Sequence, residues 1–120
     1  MKRCSMLLAC CYLCGCANLG QVTLHPETTT GYFSAHRTGV EQCLETEALN
    51  QRLRLEADDP LPGGVDRFNL LNAQAKVVAW IEVAGFSHHE TSAQFYYAPE
   101  RPAVAQAVAT MIARCGSVSG

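Results

Sequence analysis

The 120-residue sequence predicts a small α+β domain in which two helices pack on one side of a small antiparallel sheet. Three observations support this fold class. An apolar stripe at helical spacing lies near the end of the chain, and a β-branched and aromatic run lies in its middle. Two cysteines, Cys43 and Cys115, fall on the apolar stripes of the first and last predicted helices. The expected order is helix, possible short helix, β-hairpin and helix, with one disulfide.

The N-terminal segment has the features of a secretory signal. Lys2 and Arg3 give it a positive start, and an uncharged run follows from Cys4 to Cys14. This run is too short to cross a bilayer, since a transmembrane helix needs about 20 apolar residues. The segment therefore predicts export of the chain.

The end of that segment, Leu13-Cys14-Gly15-Cys16, resembles the lipobox of bacterial lipoproteins. The resemblance implies that residues 1–15 are a signal peptide and that Cys16 becomes the acylated, palmitate-bearing N-terminus. Ala17 is not the Asp associated with inner-membrane retention, so the resemblance favours the periplasmic face of the outer membrane. An ordinary cleavable signal and a second, weaker box at residues 7–10 are the alternatives.

The polar stretch that follows predicts a spacer between the anchor and the fold. Residues 16–31 are expected to be the lipidated N-terminus and a flexible tether, because they contain few large apolar residues and include Pro26 and Gly31. The α+β domain is expected over residues 32–116, and residues 117–120 are expected to be a frayed tail.

Charge and cysteine content restrict the partners and the redox state. Without Lys2 and Arg3, seven basic residues remain against eleven acidic ones, a net charge of −4 that disfavours a nucleic-acid partner. Five of the seven cysteines lie within residues 4–16, which leaves Cys43 and Cys115. In an oxidising compartment this pair predicts one disulfide.

The first helix is predicted over residues 39–56, which are rich in good helix formers. Val40, Cys43, Leu44 and Ala48 share one stripe, whereas the later leucines fall off it. The stretch Asp58 to Gly64, with two prolines and two glycines, predicts a loop.

Residues 65–75 leave two interpretations open: a short helix capped by Asp66, or irregular packing. Residues 76–84 favour a strand because they contain Val77, Val78, Trp80, Ile81 and Val83. A continuous helix over 66–84, ended by Gly85, is the competing interpretation.

The hairpin and the last helix complete the predicted domain. Residues 85–91 are expected to be a hairpin loop and residues 92–98 the return strand. Two prolines then precede a helix that Gly116 would end. Its apolar stripe consists of Val104, Val108, Met111, Ile112 and Cys115.

Two groups of residues are candidates for a functional site. His88, His89 and Glu90 are suitable zinc ligands by type, but adjacent residues in a strand or loop point apart, so they are weak candidates. Trp80 and Tyr96 would form a partner-binding patch if they share the outer face of the sheet. Phosphate-binding loops and dinucleotide fingerprints are absent from the sequence, so no cofactor is predicted.

Three functions are compatible with these observations. The favoured one is a non-catalytic lipoprotein, anchored to membrane lipid through Cys16, that acts as a binding or assembly accessory of an envelope complex. The second is a small metal-binding protein or enzyme that uses His88, His89 and Glu90. The third is an exclusion or inhibitor lipoprotein of a mobile element, for which the sequence contains no motif.

Overall fold

The computed structural model describes residues 25–116, which form a five-stranded antiparallel sheet and two helices. The elements in chain order are β1 (Glu27–Phe33), α1 (Arg37–Asn50), β2 (Arg54–Leu61), β3 (Val65–Leu71), β4 (Val77–Ser87), β5 (Glu90–Tyr97) and α2 (Pro102–Cys115). The sheet order is β1-β5-β4-β3-β2. The chain therefore passes from one edge of the sheet to the other through α1 and returns as a meander.

The predicted α+β class, the antiparallel sheet and the two helices are confirmed. The predicted signal peptide, Cys16, residues 17–24 of the tether and the 117–120 tail lie outside the described residues. Neither helix of the described part is long and apolar enough to span a membrane.

α1 ends earlier than residue 56, where the sequence placed its end. Its buried positions stop at Ala48, and Leu49 is 60% exposed, so the later residues have no apolar stripe to bury. Arg52 then takes a positive φ of 61°, which turns the chain into β2.

The middle of the chain differs most from the prediction. Only residues 62–64 of the loop expected at 58–64 form a turn, because β2 and β3 form a hairpin there. Both interpretations left open for residues 65–75, a short helix and irregular packing, are wrong over the extent of β3. Gly63 and Gly64 make its turn, with φ values of 87° and 77° that favour glycine. Phe68 and Leu70 face the core side of the sheet, while Asn69 between them faces outward. This period of two is that of a strand.

The strand interpretation of residues 76–84 is confirmed, and the continuous helix over 66–84 is wrong. β4 extends to Ser87 and β5 begins at Glu90, so the hairpin turn is shorter than the loop expected at 85–91. Residues 27–31, which the sequence assigned to the tether, form most of β1 and pair with β5. The predicted start of the domain at residue 32 is therefore too late.

Both helices cover the same face of the sheet, as predicted. One buried cluster joins α1, through Val40 and Leu44, to Ile81 and Phe95 of the sheet and to Met111 of α2. From Ala79 to Val83 in β4 and from Thr91 to Tyr97 in β5 every second residue is buried, which is the pattern of a sheet with one covered face.

α2 approaches β1 closely because of Gly31. A Cβ added at Gly31 would lie 2.8 Å from the Phe33 ring and 3.1 Å from Ile112. One turn further along α2, Cys115 is fully buried and its sulfur lies 2.10 Å from that of Cys43, with the Cα atoms 5.7 Å apart. The predicted cysteine pair is therefore at bonding distance and joins the two helices.

Candidate binding face

The face of the sheet opposite the helices carries polar and aromatic side chains. We call it the outer face, and the strand register places on it Thr28, Thr30, Tyr32, Glu56, Asp58, Arg67, Asn69, Trp80, Glu82, Ser92, Gln94 and Tyr96. None of these residues is fully buried, whereas the residues that alternate with them along β4 and β5 mostly are. The outer face is thus the large surface of the sheet that remains accessible within residues 25–116.

Trp80 and Tyr96 lie at the centre of the outer face. They are directly opposite each other on β4 and β5, with ring centroids 5.4 Å apart and ring planes inclined by 30°. The guanidinium of Arg67 lies 5.3 Å from the centre of the Trp80 ring, within the range of a cation–π contact. The sequence predicted a patch if the two aromatic residues shared a face, and the structure places them on the same face.

Polar contacts hold these side chains in place. The Tyr96 hydroxyl donates to Glu82 Oε1 at 3.3 Å. Partial burial, together with the neighbouring Glu82 carboxylate, raises the pKa of Tyr96, so the hydroxyl remains protonated and able to donate at neutral pH. The aromatic pair is therefore oriented before any partner arrives.

Asp58 lies on the outer face of the edge strand β2, opposite Arg67 of β3. It accepts from Asn69 Nδ2 at 3.3 Å and lies 4.0 Å from Arg67 Nε. The pKa of Asp58 is lowered, mainly by the Asp59 backbone N–H and then by Asn69. The ionised carboxylate thus adds a negative charge beside Arg67 on the outer face.

Apart from the outer face, a concave region lies at the β4–β5 turn, beside the start of α1. It encloses about 330 Å³ and is lined by His36, Arg37, Gly85, Phe86, Ser87 and His88. The rings of His36 and His88 are stacked with centroids 5.8 Å apart. Sequence reasoning did not find this pair, because only the tertiary fold brings together two histidines that lie 52 positions apart.

The predicted metal candidates lie near this region but do not converge. His88, His89 and Glu90 are all exposed at the tip of the hairpin. Residues 25–116 contain no group of three or more His, Cys, Asp or Glu side chains placed to hold a metal ion. His36 Nδ1 accepts the Thr38 N–H at 3.2 Å and caps α1. The metal function proposed for His88, His89 and Glu90 stays a prediction.

A carboxylate pair lies where α1 meets β3. Arg37 bonds to the Gly64 carbonyl at 2.6 Å and its Nε lies 3.5 Å from Asp66 Oδ2. Glu41 Oε2 is buried and makes no hydrogen bond within the described residues. Burial, followed by the effect of the neighbouring Asp66 carboxylate, raises the pKa of Glu41 to about 8, while Arg37 opposes the shift. Two ionised carboxylates cannot bond to each other, but a protonated Glu41 can donate to Asp66.

We expect Glu41 to make stability depend on pH. Its pKa in the folded protein, about 8, lies above its ordinary value of 4.5, so between these values the folded state binds more protons than the unfolded state. The free energy of unfolding should therefore fall as pH rises from 4.5 to 8. Because the site is partly exposed, we expect the loss to be on the order of 1 kcal/mol.

Urea unfolding at a series of pH values tests this expectation. Glu41→Gln should flatten the decline and stabilise the protein at pH above 8, while Glu45→Gln, at an exposed position on the same helix, should leave it unchanged. Parallel stability curves for the wild type and Glu41→Gln would show that Glu41 ionises normally.

Comparisons with protein-family models, with curated proteins and with solved structures found no match to this chain.

Proposed function

We propose that this protein is a lipid-anchored, non-catalytic binding or assembly accessory of the cell envelope, and that its outer face binds another envelope protein. The observation that supports the proposal most is the Trp80–Tyr96 pair with Arg67 beside it, on the sheet face that the helices leave uncovered.

The composition of the outer face suits protein recognition. Trp, Tyr and Arg are the residue types most enriched among interface residues that dominate binding energy. Around Trp80 and Tyr96, the outer face carries Ser, Thr, Asn and Gln, which hydrogen-bond adaptably without a strong charge preference. Since the core lies on the other side of the sheet, a partner can contact this face without disturbing the fold.

The anchor is proposed from the lipobox resemblance at Cys16. Acylation by more than one chain gives stable attachment without a transmembrane helix. Between Cys16 and the start of β1 at Glu27, the chain can span at most about 40 Å, given about 3.6 Å per extended residue. The domain would then stay close to the membrane, facing the periplasm and favouring partners that are themselves in or near the outer membrane.

Photo-crosslinking in the producing cells tests both parts of the proposal. A photoreactive phenylalanine in place of Tyr96 should give a discrete adduct with another protein. The same group in place of Leu49, which is 60% exposed on α1 away from the outer face, should not. The adduct at position 96 should also weaken when Trp80→Ala removes the neighbouring ring.

Cys16→Ser supplies the second arm of the experiment. It should abolish palmitate labelling and membrane fractionation, and it should reduce the adduct at position 96 because the domain is no longer held at the membrane. Equal adducts at positions 96 and 49 would refute the binding face, and unchanged palmitate labelling of Cys16→Ser would refute the anchor.

A further inference from the structure

The two edge strands of the sheet differ in how they are protected against pairing. β2 carries Arg54, Glu56, Asp58 and Asp59, contains Pro60, and has an irregular register with β3 between Asp58 and Leu61. Charges, proline and bulges are the features by which proteins prevent an edge strand from pairing with another chain. β2 is therefore an edge strand protected against pairing with another chain.

β1, at the opposite edge, has none of these features between its ends. It pairs with β5 in an unbroken register over seven residues, and all its residues after Glu27 are uncharged. Within the described part of the chain its only strand neighbour is β5. In an antiparallel sheet, alternate residues of such a strand direct their N–H and C=O groups away from the sheet, where another strand can bond to them.

We propose that β1 pairs with β1 of a second copy of this chain, antiparallel and centred on Thr30, so that the two sheets become one ten-stranded sheet. This inference rests on the sheet edge and does not depend on the anchor or on the outer face binding another protein.

The sequence of β1 complements itself in this register. Thr30 lies opposite the partner's Thr30, Thr28 lies opposite the partner's Tyr32, and Thr29 lies opposite the partner's Gly31. Thr28 and Tyr32 occupy the same face of the sheet. Each Tyr32, 78% exposed in the single copy, would thus gain an aromatic–β-branched cross-strand contact that stabilises sheets.

Charge favours the same partner. The only charged residue of β1, Glu27, lies at its first position, so the two Glu27 carboxylates fall at opposite ends of the paired strands. Six residues at about 3.4 Å each separate them by about 20 Å, well beyond the Debye length of about 8 Å at physiological salt. No like charges face each other, and the pairing would place two Trp80–Tyr96 pairs on one continuous surface.

Engineered cysteines test the register directly. In the proposed dimer the two residues at position 30 have Cα atoms about 5 Å apart, within the range of a disulfide. The two residues at position 28 are offset by four positions, about 13 Å, which is out of range. Full-length Thr30→Cys, purified in detergent and mildly oxidised, should link to itself, while Thr28→Cys on the same strand and face should not.

Peptide mapping of a mixture of isotope-labelled and unlabelled protein identifies the linked peptide and shows that it joins two copies. Equal linking by the two cysteine variants, or no linking of Thr30→Cys, would refute the register.

Two single lysine substitutions test the dimer independently, through its strength of association. Thr30→Lys places two like charges directly opposite each other, whereas Thr28→Lys places each lysine opposite a tyrosine. In sedimentation equilibrium of the full chain, the wild type should form dimers. Thr30→Lys should weaken dimerisation tenfold or more, and Thr28→Lys should weaken it less. Thermal melts confirm that each variant folds, and a wild type that is monomeric at every concentration would overturn the proposal.

Discussion

Replacing both Cys43 and Cys115 with Ala should lower the free energy of unfolding by about 4 kcal/mol. The two cysteines lie 72 positions apart, so the bond closes most of the described chain into one loop. In the chain-entropy account, closing so long a loop removes many conformations from the unfolded state. Most of the effect should therefore come from the unfolded chain.

Thermal unfolding measures this effect. At about 4 °C or more per kcal/mol for a domain of this size, the melting temperature should fall by at least about 15 °C. The same fall should follow when the wild-type protein is reduced, and reduction should leave the double Ala variant unchanged. A wild type whose melting temperature is insensitive to reductant would show that the bond is absent or contributes nothing.

Two neighbouring aromatic residues of β5 should respond very differently to truncation. Phe95 is fully buried in the cluster between the sheet and the helices, whereas Tyr96 is half-buried on the outer face. Phe95→Ala should cost about 3–5 kcal/mol, because it leaves a cavity in a packed core. Tyr96→Ala should cost about 1 kcal/mol, the scale of one cross-strand aromatic contact.

Urea unfolding of the two variants tests this contrast, with Gln94→Ala on the outer face of the same strand as a control that should change little. Because Tyr96→Ala and Trp80→Ala should keep the fold, any loss of partner binding that they cause can be assigned to the surface. If Tyr96→Ala destabilised the protein as much as Phe95→Ala, the outer face would be part of the core, and the proposed binding role would lose its support.

Local patterns were sufficient for several elements. The stripe that includes Val108, Met111 and Cys115 predicted α2, and the Val- and Ile-rich run around Trp80 predicted β4. The cysteine pair followed from a count, since only two cysteines lie beyond the N-terminal segment. These signals depend on spacing within one element, so a single sequence contains them.

The β2–β3 hairpin and β1 were missed for an identifiable reason. β2 has no fully buried residue and consists largely of charged and turn-forming types, so its propensity favours a loop. It is a strand because β3 supplies a ladder partner from Arg54 to Leu61. β1 likewise is a polar, threonine-rich segment that becomes a strand by pairing with β5, whose paired residues lie between 58 and 70 positions away.

Local periodicity and residue counts were enough to predict the α+β class, the amphipathic helix α2 and the identity of the cysteine pair, whereas β4 was favoured as a strand with a helix still open. The pairing of the strands established that the sheet has five strands, that Trp80 and Tyr96 meet on its uncovered face, and that β2 is protected at its edge while β1 is not. Strand pairing joins residues that lie far apart in the chain, so no local pattern contains it. Which faces and edges remain free is therefore fixed only when every strand has found its neighbour.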